Sequence, residues 1–293
     1  MKKLTISILL FMMLSLLGAQ ARIVSSKSGK DINIKTLGKE LRKYDIIFFG
    51  EQHGNPTIHG LQKAVLPHLL QRKRPLILSF EMWERDTQDV LDAYLAGETT
   101  EEMFIEASRA WSNYASSYRP LLSFAKEHRL PALAANVPRE YAGRTARNGW
   151  DFVDNLPIEE RKWIAQNLTA PLDKYREEFM LTMQRMGGDH FSEGYLENYY
   201  QAQCMKDDTM AESIVMAMAY HKKSRVIHFN GVFHSQEFLG TVSRVRKALP
   251  KARIAVITPI ADDDWQNLIP DESLKALGTH LILIPPYNEG EQE

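Results

Sequence analysis

One cysteine, Cys204, is all the thiol available to these 293 residues. An intramolecular disulfide is therefore impossible, and burial of apolar surface must hold the fold. Other absences narrow the chemistry. There is no G-x-S-x-G elbow, no Walker A loop, no G-x-G-x-x-G and no H-E-x-x-H, so the commonest signatures of serine hydrolases, nucleotide binders and zinc proteases are missing. Neither sign of charge dominates. Lys and Arg number 36 against 37 Asp and Glu, a formal net charge of −1, which gives no reason to expect nucleic acid or an acidic membrane surface as partner. No internal repeat, low-complexity run or Pro/Gly-rich linker divides the chain.

The first residues read as a targeting signal. Lys2 and Lys3 form a basic start, Leu4 to Leu17 an apolar stretch, and Ala19-Gln20-Ala21 a small-x-small cleavage site. The apolar stretch is short for a spanning helix of about 20 residues. No cysteine stands near the cleavage point, so no lipid anchor is expected. The mature chain then begins at Arg22, with its formal charge moved from −1 to −3. This predicts an exported protein of the periplasm or cell envelope: residues 1–21 as signal peptide and 22–293 as one α/β domain.

What the chain does have is a recurring pattern. The apolar run Ile46-Ile47-Phe48-Phe49 closes on Gly50-Glu51-Gln52-His53-Gly54. Asn55 and Pro56 then stand as N-cap and first helical residue, followed by Ile58, Leu61, Val65 and Leu69 at helical spacing. Leu76 to Phe80 ends in Glu81, Leu130 to Ala135 in Asn136, and Arg225 to Phe229 in Asn230-Gly231-Val232-Phe233-His234. Ile254 to Ile260 and His280 to Ile284 read as further strands. The fold class expected is α/β: a mostly parallel central sheet with helices on both faces, and an additional helical layer over the carboxyl ends of the strands. That layer comes from insertions at about 82–130 and 139–222.

Ligands of open α/β sheets bind at the carboxyl ends of the strands, so Glu51, His53, Glu81, Asn136 and His234 are expected in one crevice. Two histidines and one or two carboxylates make a plausible open divalent site. In that reading His53 and His234 bind a divalent ion, Glu51 helps ligate it and Glu81 activates water as general base of a metal-dependent hydrolase. The bland alternative is that these are solvated loop residues. Within the helical layer, Trp111, Tyr114 and Tyr118 share one helical face, as do Tyr199 or Tyr200 with Gln203 and Asp207. Such faces serve either as core and bracing network or as a ligand wall. Arg139 and Arg144 are candidate partners for the polar groups. Cys204 is expected as a small buried side chain, and His190 as an exposed or mobile one.

Several motifs in one order resemble a known family. They are Gly50-Glu51-Gln52-His53, Phe80-Glu81-Met82, Tyr118-Arg119-Pro120-Leu121 and Ala134-Ala135-Asn136-Val137-Pro138-Arg139. Ala202-Gln203-Cys204-Met205-Lys206-Asp207 with Met210-Ala211, and Gly231-Val232-Phe233-His234, continue the series. Over roughly residues 45 to 240 the chain resembles the ChaN-like haem-binding uptake proteins, related more distantly to the Tiki and TraB proteins. The resemblance implies an exported haem-binding protein of iron acquisition. It also implies haems held where two chains meet as a homodimer, histidine and lysine assisting through the propionates, and an outer-membrane haem receptor as a further partner. Without a C-x-x-C-H motif any haem is non-covalent. Ferric haem suits a phenolate ligand. Tyr118, Tyr195, Tyr199 and Tyr200 flank the matched motifs and are the candidates, with Tyr141 a lesser one. Arg119, Asn136, Arg139, Gln203 and Asp207 are expected around the cofactor.

Overall fold

The computed structural model describes residues 21–185 and 193–287. The signal segment, apart from Ala21, and His190 lie outside the described residues. Eight strands form one sheet: β1 Arg22–Ser25, β2 Lys30–Ile32, β3 Ile46–Glu51, β4 Leu76–Glu84, β5 Ala132–Asn136, β6 Arg225–Gly231, β7 Ile254–Ala261 and β8 His280–Ile284. Their order is β2-β1-β8-β7-β3-β6-β4-β5. Strands β3 to β8 run parallel, while β1 lies antiparallel to β8 and β2 to β1. The mostly parallel sheet read from the sequence is present.

Strand alternation sends successive side chains to opposite faces, and here both faces are covered. Ile47, Phe49, Phe80, Ile227, Phe229 and Ile257 join one core with the helices Ile34–Leu41, Pro56–Leu69 and Arg119–Glu127. Ile46, Phe48, Ile77, Val226 and Val256 join another with Ala211 and Ile214 of the Glu193–Tyr220 helix and Val242 and Val245 of Gly240–Ala248. A sheet buried on both faces reads as continuous apolar runs rather than alternation, which is why these strands were legible. Each fully buried Leu, Ile or Phe contributes roughly 1.5–3 kcal/mol.

Local signals set the helix that follows β3. The Asn55 side chain accepts from the amides of Thr57 and Ile58 at 3.1 and 3.3 Å, and Pro56 occupies the first turn. Two differences from expectation bear on the site. Strands β1 and β2 carry too little apolar sequence to announce themselves. Strand β4 continues to Glu84, so Glu81 lies within the strand; Met82 and Trp83 are buried and prolong it. A register shift against β5 between Phe80 and Glu84 accommodates the extension.

The long segments between β4 and β5 and between β5 and β6 are helical, as expected. A single π-helical turn, Tyr114–Tyr118, leads directly into the helix Arg119–Glu127. No helix among the described residues is long and apolar enough to cross a membrane.

Candidate functional site

The chain runs from β3 through β4 to β5 on one side. It then returns to insert β6 between β3 and β4 before continuing to β7 and β8. This reversal creates a switch point at the carboxyl end of β6, the position where open α/β sheets bind ligands. Glu51 ends β3 on one flank, Glu81 lies in β4 on the other, and Gly231 ends β6 between them.

Two hydrogen-bond networks meet there. Glu51, 1% exposed, accepts at Oε1 from His53 Nδ1 (2.9 Å) and from the Tyr118 hydroxyl (2.7 Å). Its Oε2 accepts from Gln62 Nε2 at 2.7 Å. Gln62 in turn is 2.9 Å from His59 Nδ1 through Oε1. The second network runs through Glu81, His234 and Asp207. The amide of Gly231 donates to Glu81 Oε2 at 2.7 Å. His234 Nε2 stands 3.3 Å from Glu81 Oε1, and His234 Nδ1 2.7 Å from Asp207 Oδ1. Thr241 Oγ1 also donates to Asp207 Oδ1 (2.7 Å), and the Tyr175 hydroxyl to Oδ2 (2.6 Å). Gln203 Nε2 donates to the Tyr175 oxygen at 3.2 Å and lies 3.3 Å from His234 Nδ1.

His53 stands between the networks. A Cβ on Gly231 would come within 2.8 Å of His53 Nε2 and 3.6 Å of Glu81 Oε2, so glycine here leaves room for the imidazole over the strand end. The His53 ring meets Trp111 edge-on, with centroids 5.0 Å apart. It opens onto a polar cleft of about 590 Å³ lined by Trp111, Ser112, Asn113, Ser116, Arg139 and Tyr287.

The charges are tightly paired. Burial alone would lower the His234 pKa, but Glu81 and Asp207 outweigh it and raise it to about 10. His234 is an imidazolium at neutral pH. Burial would raise Glu81 and Asp207, yet both are held below the ordinary carboxylate range, chiefly by His234. His53 is raised: burial opposes this, and Glu51 and Glu81 prevail. Burial next to Glu51 pushes the Tyr118 phenol well above its ordinary value. Beneath them His228, wholly buried, is pushed down to about 3 by burial.

The expected residues are placed as follows. Glu51, His53, Glu81, His234, Gln203 and Asp207 are linked through the two networks, and Asn136 adjoins them by donating to the Glu81 carbonyl at 3.0 Å. Tyr118 belongs to the Glu51 network. Arg139 lines the cleft with its guanidinium on Glu84 (2.5 Å). Arg119 pairs outside this group with Glu101 (2.8 Å), and Arg144 lies over Phe152. Tyr200 is buried and donates to the Pro171 carbonyl at 2.7 Å. Tyr141 donates to Glu160 at 3.1 Å. Tyr195 and Tyr199 are half-buried and stack on each other, centroids 4.4 Å apart. Cys204 is buried, and burial pushes its thiol up to about 12. Sequence reasoning missed Gln62, Tyr175 and Thr241. Of these only Gln62 had a signal, a polar residue three positions after His59 and so on the same face of the helix Pro56–Leu69.

The divalent site expected from His53, His234 and Glu51 is not supported. Every carboxylate oxygen of Glu51, Glu81 and Asp207 already accepts from an internal donor, and both nitrogens of His234 face carboxylates. Among the described residues no group of three or more His, Cys, Asp or Glu is arranged to hold a metal ion.

Replacing Gly231 by alanine tests the arrangement. The added Cβ drives the 39% exposed His53 side chain off Glu51, and its pKa is expected to fall back toward 6.5, at a stability cost of about 1 kcal/mol. An NMR titration of His53 left unchanged in the variant removes this account.

A family model described as haem-binding uptake, Tiki superfamily, ChaN matches residues 37–245, a span that contains both networks. No curated protein matches. Among solved structures, ChaN of Campylobacter jejuni, in a structure titled for cofacial haem binding, superposes with a TM-score of 0.65 at 14% identity. The match covers 91% of this chain and 98% of that one. A succinoglycan biosynthesis protein (TM-score 0.44, 12% identity, 78% of this chain and 69% of that one) and an erythromycin esterase mutant (0.44, 13%, 77% and 72%) are more distant.

Proposed function

Since the chain belongs to the haem-binding uptake family of the Tiki superfamily that includes ChaN, we propose that it is an exported protein of haem and iron acquisition, holding ferric haem non-covalently through a tyrosine. The observation that carries this reading is the family match across residues 37–245. The sole cysteine is buried, which accords with non-covalent binding. A phenol must shed its proton to ligate ferric iron. Tyr118 and Tyr200 donate theirs to Glu51 and Pro171 inside the protein, and burial raises both phenols, so ligation falls to an accessible tyrosine of the helical layer. The Campylobacter protein binds haem cofacially. Two stacked macrocycles call for apolar cover from two chains, so a haem-bound homodimer is part of the proposal. Residues 1–21 as signal peptide, a location in the periplasm or envelope and delivery from an outer-membrane receptor complete it.

Titrating haemin into the mature protein, beginning at Arg22, is expected to give a saturable Soret change and a ferric phenolate spectrum, with a shift to dimer on gel filtration. A linear, unsaturable change overturns the reading.

A second reading is favoured by one observation: His53, whose Nδ1 is held by Glu51, is among the residues that line the cleft. That is the arrangement of a general base whose orientation is set by a carboxylate. Hydrolysis that survives chelators and disappears in His53→Ala would favour it.

A further inference from the structure

We propose that the polar cleft beside His53 binds the oxyanion of a small molecule, a carboxylate or phosphate group, with Arg139 as its anchor and Trp111 and Tyr287 against the rest of the ligand. Neither haem nor hydrolysis is required, so this goes beyond both readings above.

Charge singles the cleft out. Its described lining holds two side chains able to carry positive charge, His53 and Arg139, and no aspartate or glutamate. Both have carboxylate partners, but these lie behind them. The side chains of Glu51 and Glu84 are buried, whereas that of His53 is 39% exposed and that of Arg139 56%. A ligand therefore meets the cationic side of each pair first. Burial opposes protonation of His53, but Glu51 and Glu81 raise its pKa, which favours the imidazolium.

Arg139 is held ready for an anion. Its Nε donates to Glu84 at 2.5 Å and its Nη2 to the Arg109 carbonyl at 2.9 Å, while Nη1 bonds no described residue. Arg109 supplies that carbonyl from a left-handed backbone, with φ at 53°. Such a conformation is strained for any residue but glycine, and strain of this kind gathers at ligand clamps. A guanidinium fixed in this way loses little freedom when it grips a planar or tetrahedral oxyanion.

The other walls add donors. Trp111 Nε1 and the hydroxyls of Ser112 and Tyr287 bond no described residue, so each is free to donate to an oxygen. Ser116 stands on the wall within the π-helical turn Tyr114–Tyr118, and turns of that type are frequent at functional sites. The volume of about 590 Å³ lies within the range of about 300–1,000 Å³ usual for small-molecule pockets.

The test is an NMR titration of the mature protein, beginning at Arg22, with phenyl phosphate, benzoate and the neutral benzyl alcohol. It follows the Trp111 indole N–H, assigned through Trp111→Phe. At least one anion should shift that resonance saturably. Phenyl phosphate alone assigns a phosphoryl group, benzoate alone a carboxylate. Benzyl alcohol should bind at least roughly tenfold more weakly than the better anion, and Arg139→Gln should weaken that anion by a similar factor. Because Arg139 also pairs with Glu84, Ser112→Asp is the second variant. It places a negative charge on the wall at an exposed side chain, and should abolish saturable binding while leaving the melting temperature unchanged. Lys126→Gln, outside the cleft, should match the wild type. Three results overturn the assignment: neither anion saturates the shift by about 10 mM, benzyl alcohol binds as tightly as the anions, or either Arg139→Gln or Ser112→Asp binds them as the wild type does. In each case the haem-binding and general-base readings stand, since haemin titration and chelator-resistant hydrolysis test them separately.

Discussion

His234→Phe is expected to destabilise the protein by about 3–5 kcal/mol, since it leaves buried carboxylates without their counter-charge. For a chain of this length that lowers the melting temperature by roughly 10 °C. His234 is 5% exposed and stands between Glu81 and Asp207. Phenylalanine keeps the ring and deletes both N–H donors and the charge. The penalty must depend on pH. The folded His234 holds its proton to about pH 10, against 6.5 ordinarily. Its contribution is therefore complete below about 6.5 and is lost as pH rises toward 10. Glu81 and Asp207 are depressed, so their contribution is present above the ordinary carboxylate range and is lost as pH falls through their lowered values. Denaturation from pH 5 to 10 should show the difference between wild type and variant largest near pH 5–6.5 and shrinking toward pH 10. A difference that is flat, or that grows with pH, contradicts a buried imidazolium.

Arg225→Met comes next in expected size, at about 2–4 kcal/mol. This arginine opens β6, the strand that ends in Gly231, and is fully buried with no carboxylate bonded to it. Its guanidinium donates to the carbonyls of Tyr44 (3.1 Å), Leu69 (3.3 Å) and Arg42, and to the Gln71 side chain (3.1 Å). Burial pulls its pKa down to about 10, so it stays charged at neutral pH. Methionine follows the aliphatic stem but leaves several buried acceptors unpaired. Arg225→Lys should recover part of the loss, because an ammonium can serve only some of those acceptors. Urea denaturation decides: a methionine variant within about 0.5 kcal/mol of wild type, the usual range for surface changes, sinks the claim. Because Arg225 lies at the opposite end of β6 from Gly231, haem binding by the folded fraction should be unchanged.

The sequence alone determined the parallel sheet. Its six parallel strands are buried on both faces, so their residues are apolar one after another and stand out in any reading. It also determined the N-cap at Asn55 and the polar strand ends, because caps and turns are local chemistry. The order of the motifs from Gly50 to His234 also carries the family resemblance. The strand order was decided only by the tertiary structure. Inserting β6 between β3 and β4 depends on which strands pair across more than a hundred residues, and no local pattern encodes that. The order places Glu51 and Glu81 on either flank of Gly231. It then sends one toward Gln62 and Tyr118 and the other toward His234 and Asp207. Side chains spaced as a metal set thus became parts of two separate hydrogen-bond networks. Tyr175 and Thr241 reach Asp207 from 32 and 34 residues away, a distance in sequence that leaves no trace in spacing. Accessibility belongs to the folded surface, and a chain of letters does not carry it.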